Sequence, residues 1–165
     1  MSTTTEQQST DDELKKEIKD NQEKEISYIL EASQIDDKRS KFLAKLNEYK
    51  IAFEDGSSDT FKRKPLSSKK NKEIDDLRSA FASHRGDTKG KIKINGQEFD
   101  NTNDVLYEAF KKTAVYCLGM TEKQYDSGIW EDDPDYMEKG IYGLRSILGA
   151  CLLRAVHGTV YFPQP

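Results

Sequence analysis

Residues 102–119 read Thr-Asn-Asp-Val-Leu-Tyr-Glu-Ala-Phe-Lys-Lys-Thr-Ala-Val-Tyr-Cys-Leu-Gly, and this stretch decides the fold class. Val105, Leu106, Ala109, Phe110, Thr113, Ala114, Cys117 and Leu118 recur as adjacent pairs every four residues. That spacing lines one wide face of an α-helix. Thr102-Asn-Asp supplies capping chemistry at its start, and Gly119 a residue free to turn left-handed at its end. So broad an apolar face needs a partner. Downstream, Ile141, Leu144, Leu148, Cys151, Leu152 and Ala155 share one face of a second helix, expected over 136–157 with Asp135 as cap and Gly158 as stop. Leu106, Phe110, Leu144 and Leu148 are expected at the centre of this helical core.

Between these two helices, Thr121-Glu-Lys-Gln reads as a capping box opening a short helix that ends at Ser127-Gly128. Gly140, Gly143 and Gly149 would each cost about 1 kcal/mol relative to alanine inside a helix. They are expected where the helix at 103–118 packs closely. Thr159-Val-Tyr-Phe carries a short strand signal.

Upstream the periodicity changes. Tyr49, Ile51 and Phe53 alternate, Glu54-Asp-Gly-Ser-Ser-Asp is turn chemistry, and Thr60-Phe-Lys-Arg-Lys returns, which together predict a hairpin near 49–64. Ser67 or Ser68 caps a helix whose Ile74, Leu77 and Phe81 share a face. Lys91-Ile-Lys-Ile-Asn-Gly-Gln-Glu-Phe holds a central Asn-Gly, the pair favoured by a type I′ turn, and predicts a second small hairpin. A short helix from Asp36 carries Phe42, Leu43 and Leu46 as a narrow apolar stripe. Residues 1–35 have few apolar positions and read as a flexible or loosely helical polar tail, ahead of a single small domain over 36–165. The fold class is therefore mainly α with one or two small β-hairpins, an α+β arrangement with its core in the C-terminal helices.

Composition bounds the function. The 165 residues are 35% apolar and 34% charged, with a mean hydropathy of -0.86, and no apolar run is long enough to span a bilayer. The net charge of -4 gives no global surplus for holding nucleic acid by its phosphates. The opening Met1-Ser-Thr-Thr-Thr-Glu-Gln-Gln-Ser lacks the basic and apolar regions of a signal peptide. Two cysteines do not make a disulfide framework. A reduced, cytoplasmic setting is the expectation.

Each candidate site has a structural competitor. Lys62, Arg63, Lys64, Lys69, Lys70 and Lys72 form a local basic run that could touch phosphates, with Phe53 or Phe61 stacking on a base; the competing reading is a lysine-guarded strand edge. Cys117, Cys151, His84 and His157 are the only soft metal ligands, and their spacing matches no zinc pattern. A cysteine nucleophile with His157 as its base lacks an orienting third group. Trp130-Glu-Asp-Asp-Pro-Asp-Tyr is an acidic loop without an EF-hand's spacing or glycine; its carboxylates suit a helix N-terminus. Trp130 and Tyr136, aromatic and rimmed by charge, are the candidate protein-binding residues. The competing reading folds Trp130 onto the helical core. Arg145 and Arg154 lay their stems along the core, with Asp126 or Glu131 as possible carboxylate partners.

The order of strand, Glu54-Asp-Gly turn, strand Thr60-Phe-Lys-Arg-Lys, then Pro65-Leu-Ser-Ser-Lys-Lys and a helix, followed by a helix ending Leu118-Gly-Met-Thr-Glu-Lys-Gln-Tyr-Asp, resembles small tail-assembly chaperones and minor tail proteins of tailed viruses. It covers residues 49–127 and rests on layout. What it implies is an acidic helical protein that shields aggregation-prone helices or guides tail-tube assembly, without a catalytic set. Catalysis needs convergent titratable groups, and no such grouping is visible. The expectation is a non-enzymatic assembly or adaptor protein, without cofactor or metal, that binds a protein partner through its C-terminal helices; the alternative is a nucleic-acid-associated protein using the basic run at 61–72.

Overall fold

The structure, a computed structural model, describes residues 12–17, 20, 23, 27–33, 35–84 and 91–161, with side chains described as far as residue 153. Its elements in chain order are α1 (Asp37–Lys45), β1 (Glu48–Ala52), β2 (Ser58–Lys62), α2 (Ser68–Ser83), β3 (Ile92–Ile94), β4 (Gln97–Phe99), α3 (Thr102–Leu118), α4 (Glu122–Ser127), α5 (Pro134–Met137) and α6 (Leu144–Tyr161). The chain is mainly helical with two antiparallel two-stranded sheets, as the sequence predicts. Among the described residues no helix is long and apolar enough to cross a membrane.

Local chemistry sets most boundaries. The side chains of Asp36, Ser67 and Thr121 accept hydrogen bonds from first-turn amides of α1, α2 and α4. Gln124 completes the capping box by accepting from the Thr121 amide at 2.9 Å. Asn101 caps α3 through the Asp104 amide at 2.9 Å, one residue before the expected start. Asn95 and Gly96 take φ of 51° and 84°, both left-handed as a type I′ turn requires, and the hairpin they close buries Ile92 and Phe99.

The larger hairpin is tied to the C-terminal half. Tyr49, Ile51 and Phe53 are all buried, so the period-two reading of this strand holds. Phe53 bridges Gly128, Lys50 bridges Ile141, and the Ile129 amide donates to the Ala52 carbonyl at 2.9 Å. β2 has β1 as its strand neighbour and keeps Ser58, Asp59, Thr60 and Lys62 exposed, a polar composition that discourages pairing with another chain.

At the centre lies α6, whose residues 146–153 are all buried. A helix apolar on every side belongs in the middle of a core. α1 and α3 pack against it. Arg63 donates through Nη2 to the Cys151 carbonyl at 3.1 Å. Leu106, Phe110, Leu144 and Leu148 are each at most 3% exposed, where the sequence places them.

The C-terminal region differs from the expected single helix at 136–157. Asp133, in place of Asp135, caps α5, accepting from the Asp135 amide at 2.9 Å. Gly140 then takes a φ of 77° and Ile141 leaves to bridge β1. α6 opens only at Leu144, because Asp132 serves its start from eleven residues upstream by accepting from the Gly143 amide at 2.7 Å. The helix passes Gly158 and continues to Tyr161, so residues 159–161 are helical where a strand is expected. Gly140 and Gly143 therefore precede the helix. Gly149 lies inside it, and its close neighbour is Ser33, whose Cβ lies 2.8 Å from where a Gly149 Cβ would stand.

Two further differences lie upstream. Phe42 is 51% exposed while Leu43 is fully buried, since the strip of α1 that is buried runs through Ser40 and Leu43. Residues 27–33, inside the expected tail, are helical, and Ile29, Ser33 and Ile35 are buried. These few positions suffice because α6 offers a small-residue surface at Gly149 for Ser33 to close on. Most of residues 1–26 lie outside the described residues.

Candidate protein-binding surface

Trp130 occupies a short extended segment clamped at both ends. The Leu144 amide donates to the Ile129 carbonyl at 2.8 Å, and the Arg145 amide to the Trp130 carbonyl at 3.1 Å. Gly143 makes this approach possible: a Cβ there would stand 2.5 Å from the Glu131 carbonyl carbon and 2.6 Å from the Trp130 oxygen. Asp132 fastens the segment. Its carboxylate accepts from the Gly143 amide, from Ser146 Oγ at 2.7 Å and from Arg39 Nη1 at 2.8 Å. One side chain thus joins α1, the loop and the start of α6.

The indole is half-buried among three rings. Phe110 lies 5.7 Å away edge-on, Tyr107 at 6.0 Å, and Tyr125 at 6.2 Å edge-on. These are ordinary centroid spacings for aromatic pairs. The Arg145 guanidinium sits 5.6 Å above the indole and pairs with Glu131 at 3.0 Å, one of its two candidate carboxylate partners. Trp130 therefore belongs to both readings: its ring packs on the core through Phe110, and its other neighbours reach the surface. Tyr107, on α3, is 45% exposed. It falls outside the apolar face that the periodicity marks out, so the sequence reading passes over it. Tyr136 is half-buried on α5 and, among the described residues, is not one of the rings packed on Trp130.

Charge around this ledge is mostly negative. Residues 102–135 hold eight Asp and Glu against three Lys; four of the eight, Glu108, Glu122, Glu131 and Asp132, pair with Lys112, Lys111, Arg145 and Arg39. Asp104, Asp126, Glu131 and Asp133 are exposed. Burial, then the charges of Asp126 and Glu108 and the nearby Tyr107, push the Tyr125 hydroxyl up to about 12. Tyr125 stays a neutral hydroxyl at ordinary pH.

The basic run is dispersed. Lys62 pairs with Glu48 across the hairpin at 3.7 Å. Arg63 turns inward to Cys151. Lys64 lies against Gly119, its Nζ 2.7 Å from where a Cβ would be. Lys70 sits 5.1 Å over the Tyr116 ring, and Lys72 pairs with Asp76 at 2.9 Å. Lys69 helps Tyr116 and Lys112 hold the Glu73 carboxyl below its usual range, the Tyr116 hydrogen bond being the main cause.

Cys117 and Cys151 are buried and not joined in a disulfide. Burial, and then the neighbouring Cys151, push the Cys117 thiol up to about 12. A thiol so raised is protonated and unreactive at neutral pH. His84 closes the end of α2, and the His157 side chain is outside the described ones. Among the described residues no group of three or more His, Cys, Asp and Glu could hold a metal ion. No protein-family model, curated protein or solved structure matches the chain.

Proposed function

We propose that this chain is a non-catalytic adaptor or assembly protein, whose ledge of Tyr107, Tyr125 and Trp130 docks a basic, partly apolar segment of a protein partner. The observation that carries this reading is the exposed Tyr107 ring held against a half-buried, rigidly supported tryptophan within a rim of carboxylates. Rigid aromatic anchors lose little conformational entropy on binding and dominate interface energetics. A Lys or Arg side chain suits both the rim, by charge, and the Tyr107 face, by cation–π attraction. Two buried thiols not joined in a disulfide suit a reduced cytoplasmic setting. The layout resemblance to tail-assembly chaperones suggests assembly as the context.

Trp130 is the only tryptophan, so its emission reports directly on the ledge. Peptides carrying Lys or Arg beside Leu or Phe are titrated into the protein, with Glu-substituted versions as controls. The expected result is a saturable change in Trp130 emission with the basic peptides alone, weakened about tenfold or more by Tyr107→Ala. Absence of saturable binding, or binding unaffected by Tyr107→Ala, overturns the reading. Preferential binding of single-stranded DNA with a steep salt dependence would instead favour the nucleic-acid alternative.

A further inference from the structure

Among the described residues the exposed large apolar side chains are Leu14, Phe42 and Tyr107. Two of these three are rings set in charged surroundings of opposite sign. Tyr107 lies on the acidic ledge. Phe42 lies on α1, whose nine residues hold Lys38, Arg39, Lys41 and Lys45 against the single acid Asp37. Helical spacing sets Lys38 and Lys45 on the same face as Phe42, at i−4 and i+3, and both are exposed. Lys41 pairs with Asp37 at 3.0 Å, while Arg39 is drawn inward to Asp132. Phe42 is steadied by Tyr142, with ring centroids 6.3 Å apart, so this too is a small aromatic knob with a charged rim.

We propose that the basic Phe42 face of one copy docks on the acidic Tyr107–Trp130 ledge of a second copy, so that the chain self-associates head to tail. This rests on the reading of the ledge as a docking surface and names its partner. The argument is complementarity: the ledge calls for a basic segment bearing an apolar side chain, and α1 presents Phe42 between Lys38 and Lys45. The two faces stand on different helices, α1 and α3, both fixed against α6. Each copy thus offers one donor face and one acceptor face, and a contact between unlike faces propagates into a chain or closes as a ring or pair.

Sedimentation velocity across a concentration series tests the proposal on three proteins: the wild type, a basic-face variant (Lys38→Glu with Lys45→Glu) and an acidic-face variant (Asp104→Lys with Tyr107→Ala). All the substituted side chains are exposed, and melting curves check that each variant is folded. The wild type is expected to associate with rising concentration and to weaken about tenfold when salt is raised, as screening of a charged contact requires. Each variant alone is expected to be monomeric. An equimolar mixture is expected to form a discrete one-to-one dimer, since it retains one intact face of each kind. A wild type monomeric at millimolar concentration overturns the proposal, as does a mixture that stays monomeric. Should the basic-face variant fail to fold, the single change Phe42→Ser replaces it; should the acidic-face variant fail, Asp104→Lys alone replaces it. The peptide titration separates the two claims: saturable basic-peptide binding by a monomeric wild type leaves the docking ledge standing and removes only the self-association.

Discussion

Trp130 and Phe42 are both aromatic rings at the protein surface, yet their supports differ in kind. Trp130 has three rings, a guanidinium and two backbone hydrogen bonds around it, and its segment is fastened by the Asp132 carboxylate. Phe42 stands on a nine-residue helix and, among the described residues, its recorded ring contact is Tyr142. An aromatic side chain wedged between elements serves the fold and the surface together. One standing outward from a helix contributes to the surface alone. Stability and binding should therefore part company at these two positions.

The largest effect is expected where Trp130 is clamped. Gly143→Ala forces a methyl against three backbone atoms within 2.7 Å, none of which can move aside by rotating a side chain. A loss of about 3 kcal/mol is expected in urea unfolding, the upper part of the usual range for overpacking. A loss under about 1 kcal/mol would show the clamp to be loose. Next, Trp130→Ala should cost about 2 kcal/mol, less than for a fully buried tryptophan because this ring is half-exposed.

Alkaline pH should erode the Trp130 side more gently. The Tyr125 pKa rises from 10.0 in the unfolded chain to about 12 in the folded one. Stability from this group is therefore intact below pH 10.0 and is lost as pH climbs toward about 12. Cys117 acts in the same direction from 9.0. Urea midpoints measured through this range should fall, and Tyr125→Phe should remove part of the slope. Phe42→Ala should leave the slope unchanged and alter stability by under about 0.5 kcal/mol, as expected of an exposed position. A cost near that of Trp130→Ala would mean that Phe42 is part of the core after all.

Much of the fold was legible because its signals are local. The eight residues of the α3 face are buried as their spacing implies, and the caps at Asp36, Ser67, Thr121 and Gly119 need only their immediate neighbours. The start of α6 was not legible for the opposite reason. Its amide partner is Asp132, which the sequence separates by a whole loop and a short helix, and only Gly140 and Gly143 hinted at the break. The site was half legible. Trp130 stood out as a lone tryptophan in an acidic loop. Tyr107 did not, since it lies between two pairs of the apolar repeat. Phe42, Leu43 and Leu46 read as one stripe because all three fall within about a turn of helix; Leu43 is buried as that stripe implies, and Phe42, one position to its side, faces out.

The position of α6 has a consequence for how the protein is made. The helix that fills the middle of the core is synthesised after every element that packs around it. While residues up to 127 are emerging, the hairpin can pair and α3 can pack on α2, but the surfaces of α1 and α3 that face α6 have nothing to close upon. The nascent chain therefore carries exposed apolar surface for most of its synthesis, a state prone to aggregate and to engage chaperones.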